Sequence, residues 1–157
     1  MREILFRGKR TDGGEWVYGY PVGWQNEEGD ISIVDSRFGA CIDESGNLMM
    51  LEAPFVAKVD PATVGQYTGL TDNNGTKIFE GDIAECVSWN IFFSDKCGKP
   101  MEPYRRKMVV VFHNGAFRMK ENLPEPLTPN YWDLIYNGDI AIIGNIHDNP
   151  EFLKEAT

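Results

Sequence analysis

Four short turn signals punctuate the apolar text of this chain: Asp12-Gly13, Asn74-Gly75, Asn114-Gly115 and Asn137-Gly138. Pairs of this kind suit two-residue hairpin tips, because a type I′ turn needs positive φ at both central positions and Asn, Asp and Gly reach it cheaply. The runs between them are apolar or aromatic and of strand length, with no long stretch of helical period. A chain divided in this way reads as short, numerous strands separated by turns. The expected fold is therefore mainly β (a β-dominated α+β chain), as a small, strongly bent SH3-like barrel with additional hairpins. Two helical pieces are expected. Asp60-Pro61-Ala62-Thr63-Val64-Gly65 has a capping Asp, Pro at the first helical position and Gly as a stop, which makes one mid-chain turn. Asn149-Pro150-Glu151 starts a short C-terminal helix by the same logic. At 157 residues the chain fits one domain, with 90–107 as a loop excursion between strands.

The stretch from Gln66 to Ile83 carries the most information. With Asn74-Gly75 at the tip of a two-residue turn, Asp72 faces Lys77, Thr71 faces Ile78 and Leu70 faces Phe79, so opposite charges meet across the ladder. After Phe79 the run Glu80-Gly81-Asp82 interrupts the apolar pattern, as a glycine corner leading into the next strand would. Asp72, Asn74, Glu80 and Asp82 are hard-cation ligand types, but the spacing of a calcium loop fails, because Thr76 and Lys77 stand where a ligand and a glycine are required. Glu80 and Asp82, two apart on one strand, share a face and could in principle divide acid and base roles. Corner carboxylates are more often solvated. Turn and ladder geometry accounts for most of the stretch, and Gln66, Tyr67, Glu80 and Asp82 remain as the candidate ligand- or partner-binding residues.

Two passages, Gln66-Tyr67-Thr68-Gly69-Leu70 through Glu80-Gly81-Asp82-Ile83 and Ile143-Gly144-Asn145-Ile146-His147-Asp148-Asn149-Pro150-Glu151-Phe152-Leu153, resemble the YopX family of phage and prophage proteins. The start, Phe6-Arg7-Gly8-Lys9 followed by an aromatic-rich strand, is similar as well, although the family more often has an aromatic shortly after that arginine. The resemblance runs in order along nearly the whole chain. It implies a small β-rich protein of a temperate phage or prophage region, without an established activity.

Composition narrows the chemistry. The formal charge of −9 argues against general affinity for nucleic-acid backbones, which need a positive surface to displace counterions. No apolar run is long enough for a transmembrane helix, and the first residues contain no signal-peptide core. Cys41, Cys86 and Cys97 are odd in number and lack C-x-x-C spacing; with only His113 and His147 beside them, no zinc site and no other cofactor is expected. Reduced, mostly buried thiols fit a bacterial cytoplasmic protein.

Three further features invite a function. Trp16, Tyr18 and Tyr20 form an aromatic stripe at period two, which reads as packing before it reads as a platform for bases or sugars. Tyr104-Arg105-Arg106-Lys107 is the basic cluster of an acidic chain, either a solvated strand edge or a contact for an anionic partner. His113 flanks the Asn114-Gly115 turn with no nucleophile at a recognisable spacing. Without a phosphate-binding loop, a dinucleotide fingerprint or a metalloprotease helix motif, a non-enzymatic, self-associating interaction module is the leading expectation. The alternatives are a small enzyme or binding protein for a nucleotide-like ligand using Glu80 and Asp82, and an acidic decoy of a host nucleic-acid-binding protein.

Overall fold

The computed structural model describes residues 3–22, 30–35, 40–42, 45, 48–50, 56–88, 104–121, 129–134 and 139–154. Residues 43–47 (apart from Ser45), the 90–103 part of the expected 90–107 excursion with Cys97, the prolines at 124 and 126, and the Asn137-Gly138 turn lie outside the described residues, whereas residues 104–107 are not a loop but the start of a strand. The chain divides into two compact units, Met1–Tyr67 and Thr68–Thr157.

In the first unit β1 (Phe6–Lys9), β2 (Trp16–Val22), β3 (Ile31–Asp35) and β6 (Val56–Val59) form an antiparallel sheet in the order β6-β3-β2-β1. Between β3 and β6 in sequence, β4 (Ala40–Ile42) pairs with β5 (Leu48–Met50). The β1–β2 connection closes around the Asp12-Gly13 turn signal, where the Arg10 N–H donates to the Glu15 carbonyl at 2.9 Å. Its loop is longer than two residues, because the Gly14 N–H reaches back to the Arg10 carbonyl at 3.0 Å with Gly14 at φ 72°. One face of this sheet buries Ile33, Ala57 and Val59. After β6, Pro61–Thr63 makes a single 3-10 turn, capped as its sequence requires: the Asp60 carboxylate accepts from the Ala62 N–H at 2.9 Å.

The expected closed barrel does not form among the described residues. β6 bends back far enough for Val59 to bridge Arg10, but pairing ends at that isolated bridge. β1 pairs with β2, and the start of β7 (Gly65–Thr71) takes its first two residues, through Phe6↔Gln66 and Arg7↔Gly65. The end of β6 meets only the residues around Arg10, where the Thr11 N–H donates to the Lys58 carbonyl at 3.1 Å and the Asp60 N–H to the Lys9 carbonyl at 2.8 Å, a contact too short to count as a strand pair.

From Thr68 the chain belongs to the second unit, where the rest of β7 and β8 (Lys77–Phe79) form a hairpin. The unit's main sheet is antiparallel in the order β12-β11-β10-β9-β13, with β9 (Asp82–Ser88), β10 (Tyr104–His113), β11 (Ala116–Glu121), β12 (Tyr131–Asp133) and β13 (Asp139–Asn145). The β10–β11 register follows the sequence, with Phe112 facing Phe117 and Val110 facing Met119. Alternation then puts Ala84, Cys86, Met108, Val110, Met119 and Ile140 on one face, packed with Ile78 and Leu134 into a core. The C-terminal helix shrinks to a 3-10 turn at Pro150–Leu153. Asn149 does not cap it, because its side-chain oxygen accepts from the Asn145 N–H instead, at 3.3 Å.

Candidate functional site

The two passages that carry the family resemblance meet at the glycine corner. Asp82 is buried at 2% exposure, and its carboxylate accepts from the Phe79 N–H at 2.7 Å, closing the Phe79–Asp82 turn on itself. Gly81, between them, has φ 83°, a conformation that a Cβ would strain. Its N–H donates to the Val110 carbonyl at 2.8 Å and its carbonyl accepts from the Ile146 N–H at 2.9 Å. The corner thereby ties β10 to the turn that follows β13. Within that turn the Asn145 side chain organises the backbone: its oxygen accepts from His147 N–H at 3.0 Å and Asp148 N–H at 2.9 Å, while its amide donates to Asp148 at 2.9 Å. Gly144 is required by close approach, since a Cβ there would overlap the Asn149 side chain.

The four candidate residues fall in different surroundings. Gln66 is half-buried on β7 and pairs through its backbone with Phe6; Tyr67 is buried, and its N–H donates to the Leu5 carbonyl at 2.8 Å. Both belong to the first unit, whereas Glu80 and Asp82 belong to the second. Glu80 and Asp82 turn to separate backbone amides, Glu80 to the Phe112 N–H at 3.3 Å and Asp82 to that of Phe79. The Asp82 bond is buried and the Glu80 bond is exposed, and each is a charge-assisted hydrogen bond to the backbone.

Asp72 is the carboxylate that the ladder reading misplaced. The tip is a three-residue loop closed by the Asp72 N–H on the Thr76 carbonyl at 2.9 Å, with the Gly75 N–H on the Asp72 carbonyl at 3.0 Å. Asp72 therefore pairs with Thr76 rather than facing Lys77. One of its oxygens accepts from the Asn74 and Thr76 N–H groups, both at 2.8 Å, and the other accepts from Ile142 N–H on β13 at 3.0 Å. Burial alone would push this carboxyl up, but the amides of Ile142, Thr76 and Asn74 outweigh it and hold it below its ordinary value. The signal for the local half was in the sequence, where Asp two positions before Asn74 has the spacing of an Asx-turn. Ile142, seventy residues away, had no such signal.

The remaining candidates are also engaged. The basic cluster lies on β10, an inner strand of its sheet and not an edge. Arg105 pairs with Glu85 at 2.6 Å, Arg106 pairs with Glu121 at 3.0 Å and stands 5.4 Å from the Trp132 ring centre, and Lys107 lies 5.5 Å from that of Phe152. His113 stacks on Tyr131, with ring centres 3.8 Å apart and planes 7° from parallel. Burial pushes the Cys86 thiol up to about 11, with Glu85 adding to the shift, so it is a poor nucleophile at neutral pH. Among the described residues no group of three or more His, Cys, Asp or Glu is placed to hold a metal ion.

The aromatic stripe divides. Trp16 is half-buried beneath cations, with the Arg7 guanidinium 4.6 Å and the Lys9 ammonium 5.7 Å from its ring centre. Tyr18 and Tyr20 are exposed, as are Val22 and Val56. Tyr20 faces Val34 and Val34 faces Val56, so these three side chains make one row across β2, β3 and β6. This row was not anticipated, because alternation within one strand does not reveal which strands will lie beside it.

A solved structure supports the architecture. The crystal structure of protein EF1440 from Enterococcus faecalis is similar to this chain at a TM-score of 0.51 and 22% identity, covering 98% of this chain and 99% of that one. At that identity the likeness speaks for the fold alone. No curated protein matches the sequence. The family described as YopX protein matches residues 5–154, which takes in the glycine corner, the Asn145 turn and both compact units. The chain belongs to the YopX family.

Proposed function

We propose that this protein is a non-enzymatic interaction module of phage or prophage origin, acting in the bacterial cytoplasm, and that it associates with copies of itself. The observation that carries the reading is the row Tyr20–Val34–Val56, whose two outer members are each 51% exposed, flanked on β2 by exposed Tyr18 and Val22. Contiguous apolar and aromatic surface on a sheet face marks a contact for another protein, whereas single exposed apolar residues do not. The structural engagement of Glu80 and Asp82 favours this reading over one in which they form a catalytic pair.

The test is size-exclusion chromatography with light scattering on the wild type and on the Tyr20→Ser/Val56→Ser double variant. Both substitutions lie on exposed side chains, so circular dichroism should show the fold intact. The wild type is expected to elute as an oligomer whose mass falls in the variant. A monomeric wild type at high concentration would end the self-association reading, and an oligomer unchanged by the substitutions would move the contact away from this face.

A further inference from the structure

β13 is the last strand of its sheet, and an end strand presents unpaired backbone groups to any extended chain. Its text, Asp139-Ile140-Ala141-Ile142-Ile143, is apolar and uncharged after the first residue and carries three β-branched isoleucines. Such a run favours strand addition. Residues two apart on a strand direct their N–H and C=O to the same side, so Ile140 and Ile142 form one set of edge groups and Ala141 belongs to the other. Two groups of that set are already bonded within the chain. The Ile140 carbonyl accepts from the Asn73 N–H at 3.1 Å, and the Ile142 N–H donates to the Asp72 carboxylate at 3.0 Å. The Asn73 side chain adds a third tie, donating to the Asp139 carboxylate at 2.9 Å.

We propose that the Asp72–Thr76 hairpin tip is an edge guard, which occupies the Ile140 carbonyl and the Ile142 N–H of β13 and prevents that strand from pairing with β13 of a second copy. The turn chemistry serves this role directly. One Asp72 oxygen fixes the loop by holding the Asn74 and Thr76 amides, which leaves the other free to reach the edge. The tip adds no strand of its own, so it ends the sheet where a strand would have extended it. This inference concerns the second unit and does not depend on the apolar row of the first.

Two variants open the edge by different means. Asp72→Ala removes the acceptor for Ile142. Asn73→Pro removes the donor to Ile140 at a position of the turn that accepts proline. Both are made in a Tyr20→Ser/Val56→Ser background, so that association through the first unit is not read by mistake. Hydrogen exchange followed by mass spectrometry should show the β13 amides exchanging at least about tenfold faster at Ile142 in the Asp72→Ala variant, a loss of order RT ln 10 in protection. Light scattering should show concentration-dependent association that the background protein lacks. Faster exchange at β13 without new association would overturn the guard role, as would unchanged exchange. Failure of both variants to fold would assign the tip to stability alone and would overturn it equally.

Discussion

Asp72 makes three hydrogen bonds to backbone amides from a buried position, and each is stronger for having a charged acceptor. Asp82 and Glu80 repeat the theme with one amide each. The carboxylates of the signature passage thus each accept from a backbone amide. Asp72 also sets a pH dependence whose sign follows from its lowered folded value. A carboxyl that titrates lower when folded stabilises the fold above its unfolded value, about 3.9, and that stabilisation is lost as pH falls through the folded value. Asp72→Asn retains a side-chain oxygen for one side of the clamp but has no second acceptor and no charge. Near pH 7 this variant should be less stable by about 1–3 kcal/mol, and the gap should close as pH falls below about 4. Urea unfolding at a series of pH values measures it. Parallel profiles for the two proteins would mean that the Asp72 charge does not contribute.

Two Asn-Gly tips with the same two-letter signal fold differently, and the difference shows how far the elements could be read from sequence. In the β10–β11 hairpin, Asn114 has φ 49° and Gly115 φ 80°, both positive as a type I′ turn demands, and the register predicted from the sequence holds. In the β7–β8 hairpin only Gly75, at φ 81°, is left-handed, because the Asp72 carboxylate captures the Asn74 N–H and favours a three-residue loop. Asn114→Ala should therefore cost about 1–2 kcal/mol, the usual penalty for an ordinary residue in the left-handed region. Asn74→Ala should cost less than about 0.5 kcal/mol, as for an exposed substitution. Equal costs in denaturant melts would refute the distinction. What the sequence disclosed was local: turn positions, alternation within a hairpin, the Asp60 cap. It did not disclose that Glu85 and Glu121 would flank Arg105 and Arg106 on an inner strand, or that Ile142 would claim the second oxygen of Asp72. Those partners are distant in sequence and are chosen by strand order.

At the scale of the first unit, β1 is shared: β2 pairs along it, the start of β7 takes Phe6 and Arg7, and the end of β6 reaches only the residues around Arg10, so the bend of β6 ends in one bridge. Net charge acts at the scale of the whole molecule. Two copies at −9 repel each other as they approach, while the proposed contact through Tyr20, Val34 and Val56 is apolar and carries no compensating charge. Salt should then strengthen association, because it shortens the range of the repulsion from about 30 Å at 0.01 M to about 3 Å at 1 M and leaves apolar burial intact. A contact built on opposite charges, or an acidic surface gripping a basic partner, would respond in the reverse sense. Sedimentation equilibrium of the wild type across that salt range separates the two. Tighter association at high salt is the expected result; weaker association would show that charge pairs, and not the row across β2, β3 and β6, hold the copies together.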